Sequence, residues 1–557
     1  MASLPAQLSA RIQDATGVDP QLRPSTKPQF GHFQTNVALR LGKEQGRNPR
    51  EVATEVLTRL DIADLCEPPE VAGPGFINLR LRSDVLARAV NDLLADDAHD
   101  GLAQVDVPTV VVIDYSSPNV AKQMHVGHLR TTIIGDCFTR VLRAVGDRVI
   151  PQNHLGDWGR QFGMLIEQIR DENLDLDTLH LAAAEELYLR ANAHLEADPD
   201  FAERARARVV ALQGADPETR EVWRRLIAIS MAGFNATYAR LNVLLTDDDL
   251  AGESSYNHML DDICDDLTTR GIAEMHEGAL IVRVDGFDAP AILRNSAGGY
   301  GYDVTDVAAL KHRVDDLGAR RLIYVTDARQ SGHFALVFGV ARRAGYLPDD
   351  VVAEHVGYGM VLGPDGRPFR TRDGLAAHLD DLLDQAEELS SPEVALAAIK
   401  YADLSNQLQK DYVFDPDRMT KTTGDTGPYL QYAHARVCQI LRRAQAEDDD
   451  AQPGDGSRVP RATWQVTRLD EPAEQDLALW LTRFGEAVDE VATKLTPHKL
   501  CIYLYELAGK LSVFYEQCPV LKSTGDVRAS RLALCAATQA VLGRGLGLLG
   551  IPAPERM

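Results

Sequence analysis

The sequence predicts an α/β protein: a parallel sheet divided by a helical insertion, preceded by a small α+β domain and followed by an all-helical domain. Three observations predict this. VPTVVVIDY (107–115) carries a continuous apolar run, the pattern of a parallel strand buried on both faces. A loop and a helix-spaced apolar series follow it directly, giving strand, loop, helix. After the helical stretch from about 166 to 280, strand-like runs return at RRLIYVTDARQSGHFALVFGVARRAGY (320–346) and VVAEHVGYGMVLG (351–363), while the chain after about 391 reads as helices.

Element by element, residues 1–108 mix short helical patterns with VAGPGFINLRL (71–81), where a Gly-Pro-Gly turn leads into a short strand. In HLRTTIIGDCFTRVLRAVG, Leu129, Ile133, Ile134, Phe138, Val141, Leu142 and Val145 recur at helical spacing, and Gly146 is the stop. DRVIPQNHLGDWG supplies the next strand and loop. Residues from about 166 to 280 are charged and helical, an insertion between two halves of a sheet. PYLQYAHARVCQILRR (428–443) is a helix of the last domain, and AEDDDAQPGDGSRVP (446–460) is an acidic, turn-rich linker. The expected domains are therefore 1–108, 109–390 and 391–557.

A chain of 557 residues exceeds what one core supports and suggests three or four domains. Hydrophobic content of 45% and charged content of 25% are those of an ordinary globular protein. No run of about eighteen apolar residues is present to cross a membrane, and the N-terminus shows no secretory pattern. Cysteines at 66, 137, 264, 438, 501, 518 and 535 form no CxxC pair. They read as reduced core thiols of a cytoplasmic protein and not as a zinc site or a disulfide framework. The net charge of −24 argues against nucleic-acid binding but does not exclude it, because local basic patches decide phosphate contact.

The chemistry concentrates in DYSSPNVAKQMHVGH (114–128), between the first strand of the sheet and its helix. A helix N-terminus presents free N–H groups and a positive dipole end, which attract phosphate. Gly127 would let the backbone approach a flat base, and His125 and His128 can donate hydrogen bonds to a triphosphate. As a metal pair the two histidines lack a nearby third ligand, and a bare HxGH occurs by chance. The second candidate is GPDGRPFRTRDG (363–374), where a Pro-Asp-Gly turn precedes Arg367, Arg370, Thr371 and Arg372. Such a loop could close over the pyrophosphate end of ATP; read alone, it would equally suit a solvated surface hairpin.

Together the two motifs resemble the HIGH and KMSKS signatures of class I aminoacyl-tRNA synthetases, in the order those enzymes use. SSPNVAKQMHVGHLRTTIIGD, HLGDWGRQFGML (154–165), KDYVFDPDRM (410–419), TGPYLQYAHAR (426–436) and LGIPAPERM (549–557) resemble the arginyl-tRNA synthetase family. The resemblance runs from GHFQTNVAL (31–39) to the last residue. It implies a Rossmann-type catalytic domain and an arginine–tRNA ligase that uses ATP with Mg2+, makes arginyl-adenylate, and charges tRNA-Arg.

The resemblance also implies that Ser117, Asn119, His128, Tyr302, Asp306 and Gln330 line the amino-acid pocket, with Lys122, His125, His128, Arg370 and Arg372 in catalysis. His125, Gly127, His128 and Arg370 would meet ATP. Independently, an arginine side chain needs a planar carboxylate for its guanidinium fork, and Asp114 and Asp306 are candidates. Tyr429, Tyr432 and Arg436 fall on one helical face, which suits either anticodon bases or helix packing. The resemblance favours the anticodon, and implies tRNA contacts also at Asn36 and Met557. A monomer with no dedicated metal site is expected. Two departures stand out. RPFRTR replaces the usual KPFKTR, so Arg367 and Arg370 stand for lysines, and His32 replaces a usual acidic residue.

Overall fold

In a computed structural model, residues 3–25, 27–369, 377–451 and 464–557 are described. Four antiparallel strands open the chain, in the order Leu22–Pro24, Phe33–Thr35, Phe76–Leu79, Glu70–Ala72, with helices Leu4–Thr16, Val37–Gln45 and Pro49–Arg59 beside them. The Gly-Pro-Gly segment is the turn of the last hairpin. At Gly75 φ is 139°, and an added Cβ would lie 2.9 Å from the Pro49 carbonyl oxygen, so no side chain fits there.

The second sheet is parallel throughout, in the order Val352–Tyr358, Arg321–Asp327, Val110–Asp114, Arg148–Gln152. Helix Val126–Ala144 connects Val110–Asp114 to its neighbour on one side. The insertion then carries the chain back to Arg321–Asp327 on the other side. The strand order reverses beside Val110–Asp114, so a crevice opens beyond the carboxyl ends of the two central strands, where such sheets bind ligands. Helix Val126–Ala144 is buried almost all round, between the sheet and the C-terminal helices. Two ion pairs fasten it there, Arg130 to Asp403 and Asp136 to Lys400, and Arg140 of the same helix also pairs with Asp136.

Helices Arg160–Glu172, Leu181–Ala197, Pro199–Gln213, Pro217–Arg240 and Leu260–Thr269 make up most of the insertion. Asp198 and Asp216 cap two of them, each just ahead of a helix-starting proline. The helical expectation for 166–280 needs amendment at its end. Glu274–His276, Ala279–Val282 and Ala291–Arg294 form an antiparallel sheet. Strands of three or four residues are too short for alternation to show in sequence, and the Glu277-Gly278 turn, with φ of 49° and 81°, sets the first hairpin. The chain ends in helices, among them Pro392–Leu404, Gly427–Ala451, Pro472–Leu481, Pro497–Gln517 and Gly525–Leu548. Among the described residues no helix is long and apolar enough to cross a membrane, and all seven cysteines are buried, none of them in a disulfide.

Candidate active site

The loop from Tyr115 to His125 is held in an unusual shape. Ser116, Ser117 and Ala121 have φ of 72°, 48° and 61°, a region that costs non-glycine residues about 1–3 kcal/mol each. Hydrogen bonds offset that cost. The N–H of Ser116 donates to Thr131 Oγ1, that of Ser117 to Asn153 Oδ1, and that of Ala121 to Ser230 Oγ. Ser116 Oγ also lies 2.7 Å from the Tyr238 hydroxyl. Ser230 and Tyr238 belong to helix Pro217–Arg240, so the insertion moulds the loop.

His125 is the N-cap of helix Val126–Ala144. Its Nδ1 accepts from the Gly127 N–H at 3.0 Å, and His128 Nδ1 accepts from the His125 N–H at 3.1 Å. Both rings lie 3.9 Å apart between centroids. Burial lowers the pKa of His125 and, aided by His125, takes that of His128 to about 3. Two neutral rings that accept at Nδ1 carry their protons on Nε2, so each presents an N–H donor away from the helix. Gly127 has a local reason as well: a Cβ there would lie 2.6 Å from His125 Cε1 and dislodge the cap. Lys122 sits with Nζ 4.0 Å above the Tyr188 ring, and Gln123 donates to Glu185 at 2.9 Å, both partners on helix Leu181–Ala197.

At the end of strand Val110–Asp114, Asp114 accepts from Arg313 at 2.7 Å and from Ser117 Oγ at 3.1 Å. Arg313 is buried and also donates to Gln152. Asp114 therefore belongs to the frame of the pocket, its charge neutralised by the chain's own guanidinium. Asp306 stands differently. Its Oδ2 accepts from His333 Nε2 at 2.6 Å, and its Oδ1 lies 3.9 Å from His154 Nε2. His333 Nδ1 faces Asp303 at 3.3 Å, and hydrogen bonds to Asp303 and Asp306 raise its pKa to about 10. Glu253 is near enough to Asp157 and Asp306 that burial and these two charges raise its pKa to about 8.

Ser117, Asp114 and Asp306 thus meet through Arg313, Gln152, Tyr256 and His154, and Asn119 pairs with Gly156 at the rim. Tyr302, one turn ahead of Asp306, is 78% exposed, and Gln330 is an exposed N-cap one turn ahead of His333. Glu253 and His333 were absent from the sequence expectations. DARQSGH did carry a signal for His333, three residues after Gln330 and hence on the same helical side; nothing marked Glu253. Of the second signature, Gly363–Arg367 forms the expected turn, closed by Gly363 N–H to Arg367 carbonyl at 2.7 Å. Arg370, Thr371 and Arg372 lie outside the described residues. The segment after them pairs with the first signature: Val126 N–H donates to Ala377 and Leu379 N–H to Met124.

Far from this crevice, Tyr432, Arg436, Arg442, Arg443 and Met557 line a groove of about 510 Å³. Arg436 lies 4.0 Å over the Tyr515 ring, Tyr432 is 47% exposed, and Tyr429 is half-buried against Tyr505. In the first domain Asn36 is the N-cap of Val37–Gln45 but makes no cap bond, and its Oδ1 is buried without a partner. His32 is buried, and its Nδ1 accepts from Leu81 N–H.

A parallel sheet with HVGH at the first helix of its switch point is the catalytic architecture of a class I tRNA synthetase. The model described as "tRNA synthetases class I (R), catalytic domain" matches residues 89–393. Those for the arginyl tRNA synthetase N terminal domain and the DALR anticodon binding domain match 2–81 and 430–557. The chain belongs to the arginyl-tRNA synthetase family. It is 65% identical to an arginine–tRNA ligase of Cutibacterium acnes and 46% to one of Thermobifida fusca, each alignment covering 100% of both chains. Solved arginyl-tRNA synthetases of Plasmodium falciparum and Thermus thermophilus superpose with TM-scores of 0.81 and 0.80 at 26% and 28% identity, with full coverage of both chains.

Proposed function

We infer that the chain activates L-arginine with ATP and esterifies it to tRNA-Arg, with Asp306 and Glu253 receiving the guanidinium. The arginine carboxylate attacks the ATP α-phosphorus, forming arginyl-adenylate as pyrophosphate leaves. The 3′-terminal ribose hydroxyl of tRNA then attacks the adenylate carbonyl, and AMP leaves. Positioning and electrostatics suffice for both steps, and no protein nucleophile takes part. The Nε2–H donors of His125 and His128 face the phosphates, Gly127 leaves room for the base, and Lys122 meets charge developing at the α-phosphate. Arg370 and Arg372 clamp the pyrophosphate. Ser117, Asn119, Tyr302 and Gln330 hold the amino-acid backbone and stem.

The observation that carries this reading is the cluster of acids Asp303, Asp306 and Glu253, the first two of which hold His333 between them. A pocket of half-buried acids takes a cationic head, while a neutral head would leave the acids unpaired and is rejected. Magnesium would come on the ATP phosphates, where it screens their charge; among the described residues no group of three or more His, Cys, Asp and Glu could hold a metal. The groove at Tyr432, Arg436 and Met557 takes the anticodon loop, Tyr429 supports it, and Asn36 reaches the tRNA elbow. The chain acts as a monomer in the cytoplasm; its seven buried cysteines, none in a disulfide, fit that reducing compartment.

ATP–pyrophosphate exchange with each amino acid, with and without tRNA, tests the reading. Exchange is expected with arginine alone among them and only when tRNA-Arg is present. Equal exchange with lysine would overturn the pocket assignment, and equal exchange without tRNA would overturn the tRNA requirement.

A further inference from the structure

A guanidinium fork pairs with a carboxylate through both of its oxygens. At Asp306 one oxygen is already taken: Oδ2 holds His333 Nε2 at 2.6 Å, the short distance of a charge-assisted bond. Among the described residues Oδ1 has only His154, at 3.9 Å. Oδ2 keeps a second lone pair, but an imidazolium held on it repels an incoming guanidinium, so two-point capture by Asp306 favours release of Oδ2 by His333. The reason for His333's position is electrostatic. Asp303 and Asp306 lie three residues apart on helix Tyr302–Asp315, where like charges repel, and the imidazolium between them neutralises the pair.

Resting on the arginine pocket inferred above, we propose that His333 is a built-in counter-ion: it occupies Asp306 in the free chain, and arginine enters by displacing it. The substrate brings its own positive charge to Asp306, so the imidazolium loses one partner and gains a cationic neighbour. Its proton then leaves for solvent and the neutral ring keeps its contact with Asp303. One cation replaces another, and the pocket is never left with its carboxylates uncompensated. With a pKa near 10 in the free chain, His333 is charged at neutral pH, so displacement there has a proton to release.

Several other groups face this pair. They are His154 after strand Arg148–Gln152, Glu253 and Tyr256 on the turn Glu253–Met259, Tyr324 on the central strand Arg321–Asp327, and His355 on Val352–Tyr358. Glu253, with its pKa near 8, holds a proton in much of the population at neutral pH and sheds it beside a guanidinium. Arginine binding is therefore expected to release protons from two sources, which a variant separates.

The test is calorimetric titration of arginine into the full chain at pH 7.5, in phosphate and in Tris, whose ionisation enthalpies differ. A buffer-dependent enthalpy is expected, with H333Q releasing about one proton fewer than the unaltered chain. Removing the competing cation should also tighten arginine several-fold at pH 6.5, where an effect through folding alone would loosen it. An enthalpy independent of buffer, an equal proton count in H333Q, or weaker arginine binding by H333Q at pH 6.5 overturns the proposal. Should H333Q not fold, H333N and the buffer dependence of the unaltered chain still decide. Failure of arginine to bind the unaltered chain at all would instead reject the arginine pocket itself.

Discussion

The Lys122 ammonium rests 4.0 Å above the ring of Tyr188, on a helix of the insertion. A contact of this kind is worth about 0.5–1 kcal/mol where water reaches it. A charge-assisted hydrogen bond to phosphate is worth about 1.5–3 kcal/mol, so ATP can draw Lys122 away from Tyr188. RPFRTR offers no lysine, and an ammonium approaches a single phosphate oxygen more tightly than a guanidinium does. Lys122→Met is expected to lower kcat by about 10²-fold, or about 2.7 kcal/mol, with little change in the KM for arginine. Arg370→Lys should be mild by comparison. Both are read by tRNA-dependent pyrophosphate exchange, and near-normal kcat in Lys122→Met would assign the transition-state charge elsewhere.

Asp306→Asn keeps the shape of the pocket and removes its charge. Arginine binding should weaken by about 2–5 kcal/mol, while ATP affinity changes little. Calorimetry of each ligand separates the two, and an unchanged Kd for arginine would leave Asp306 a purely structural partner of His333.

At the far end of the molecule, Tyr432 and Arg436 line the groove beside Met557. Their side chains are exposed or half-exposed, so little core is lost on truncation. Tyr432→Ala and Arg436→Ala should raise the KM for tRNA several-fold with Tm nearly unchanged. A large fall in Tm with an unchanged KM would instead mean that this face serves helix packing.

What could be read from sequence was local. An apolar strand followed by HVGH and a helix-spaced series located Val110–Asp114 and Val126–Ala144. The pairings that define the pocket join distant segments. Asp114 finds Arg313 199 residues away, Arg130 finds Asp403 273 away, and neither has a local pattern. Glu253 acquires its character only through burial beside Asp157 and Asp306. The neutral, Nδ1-accepting state of His125 and His128 follows from cap geometry, which the letters HVGH do not state.

His32 stands where relatives were expected to carry an acid, and its surroundings give it a structural role. Burial, and then Arg80, lower its pKa to about 4, below the unfolded value near 6.5. The unfolded chain thus binds the proton more readily between pH 6.5 and 4. Stability from this group is complete above pH 6.5 and declines as pH falls toward 4. His32→Asn should flatten the pH dependence of unfolding in that window by up to about 1.4 kcal/mol per pH unit. Urea titrations at several pH values measure it; an unaltered slope would show that His32 titrates normally.

The last prediction concerns the joint between the catalytic helix and the C-terminal domain. Asp136 Oδ2 accepts from Arg140 at 2.8 Å and from Lys400 at 3.2 Å, with Asp136 and Lys400 fully buried. Its Oδ1 accepts from the Leu244 N–H. Asn242 adds a bond to the Gly550 carbonyl, so helix Val126–Ala144, the turn after helix Pro217–Arg240, helix Pro392–Leu404 and the LGIPAP segment meet around one carboxylate. The two ways of cutting this joint are unequal. Lys400→Met leaves Asp136 paired with Arg140 and replaces a buried ammonium by an apolar chain of similar length, so the loss should be small. Asp136→Leu strands two cations and an N–H around an apolar side chain, and should cost about 3–5 kcal/mol or more. Urea unfolding of both variants, followed by circular dichroism, is the measurement. Equal destabilisation by the two would mean that Lys400 and not Arg140 balances the carboxylate.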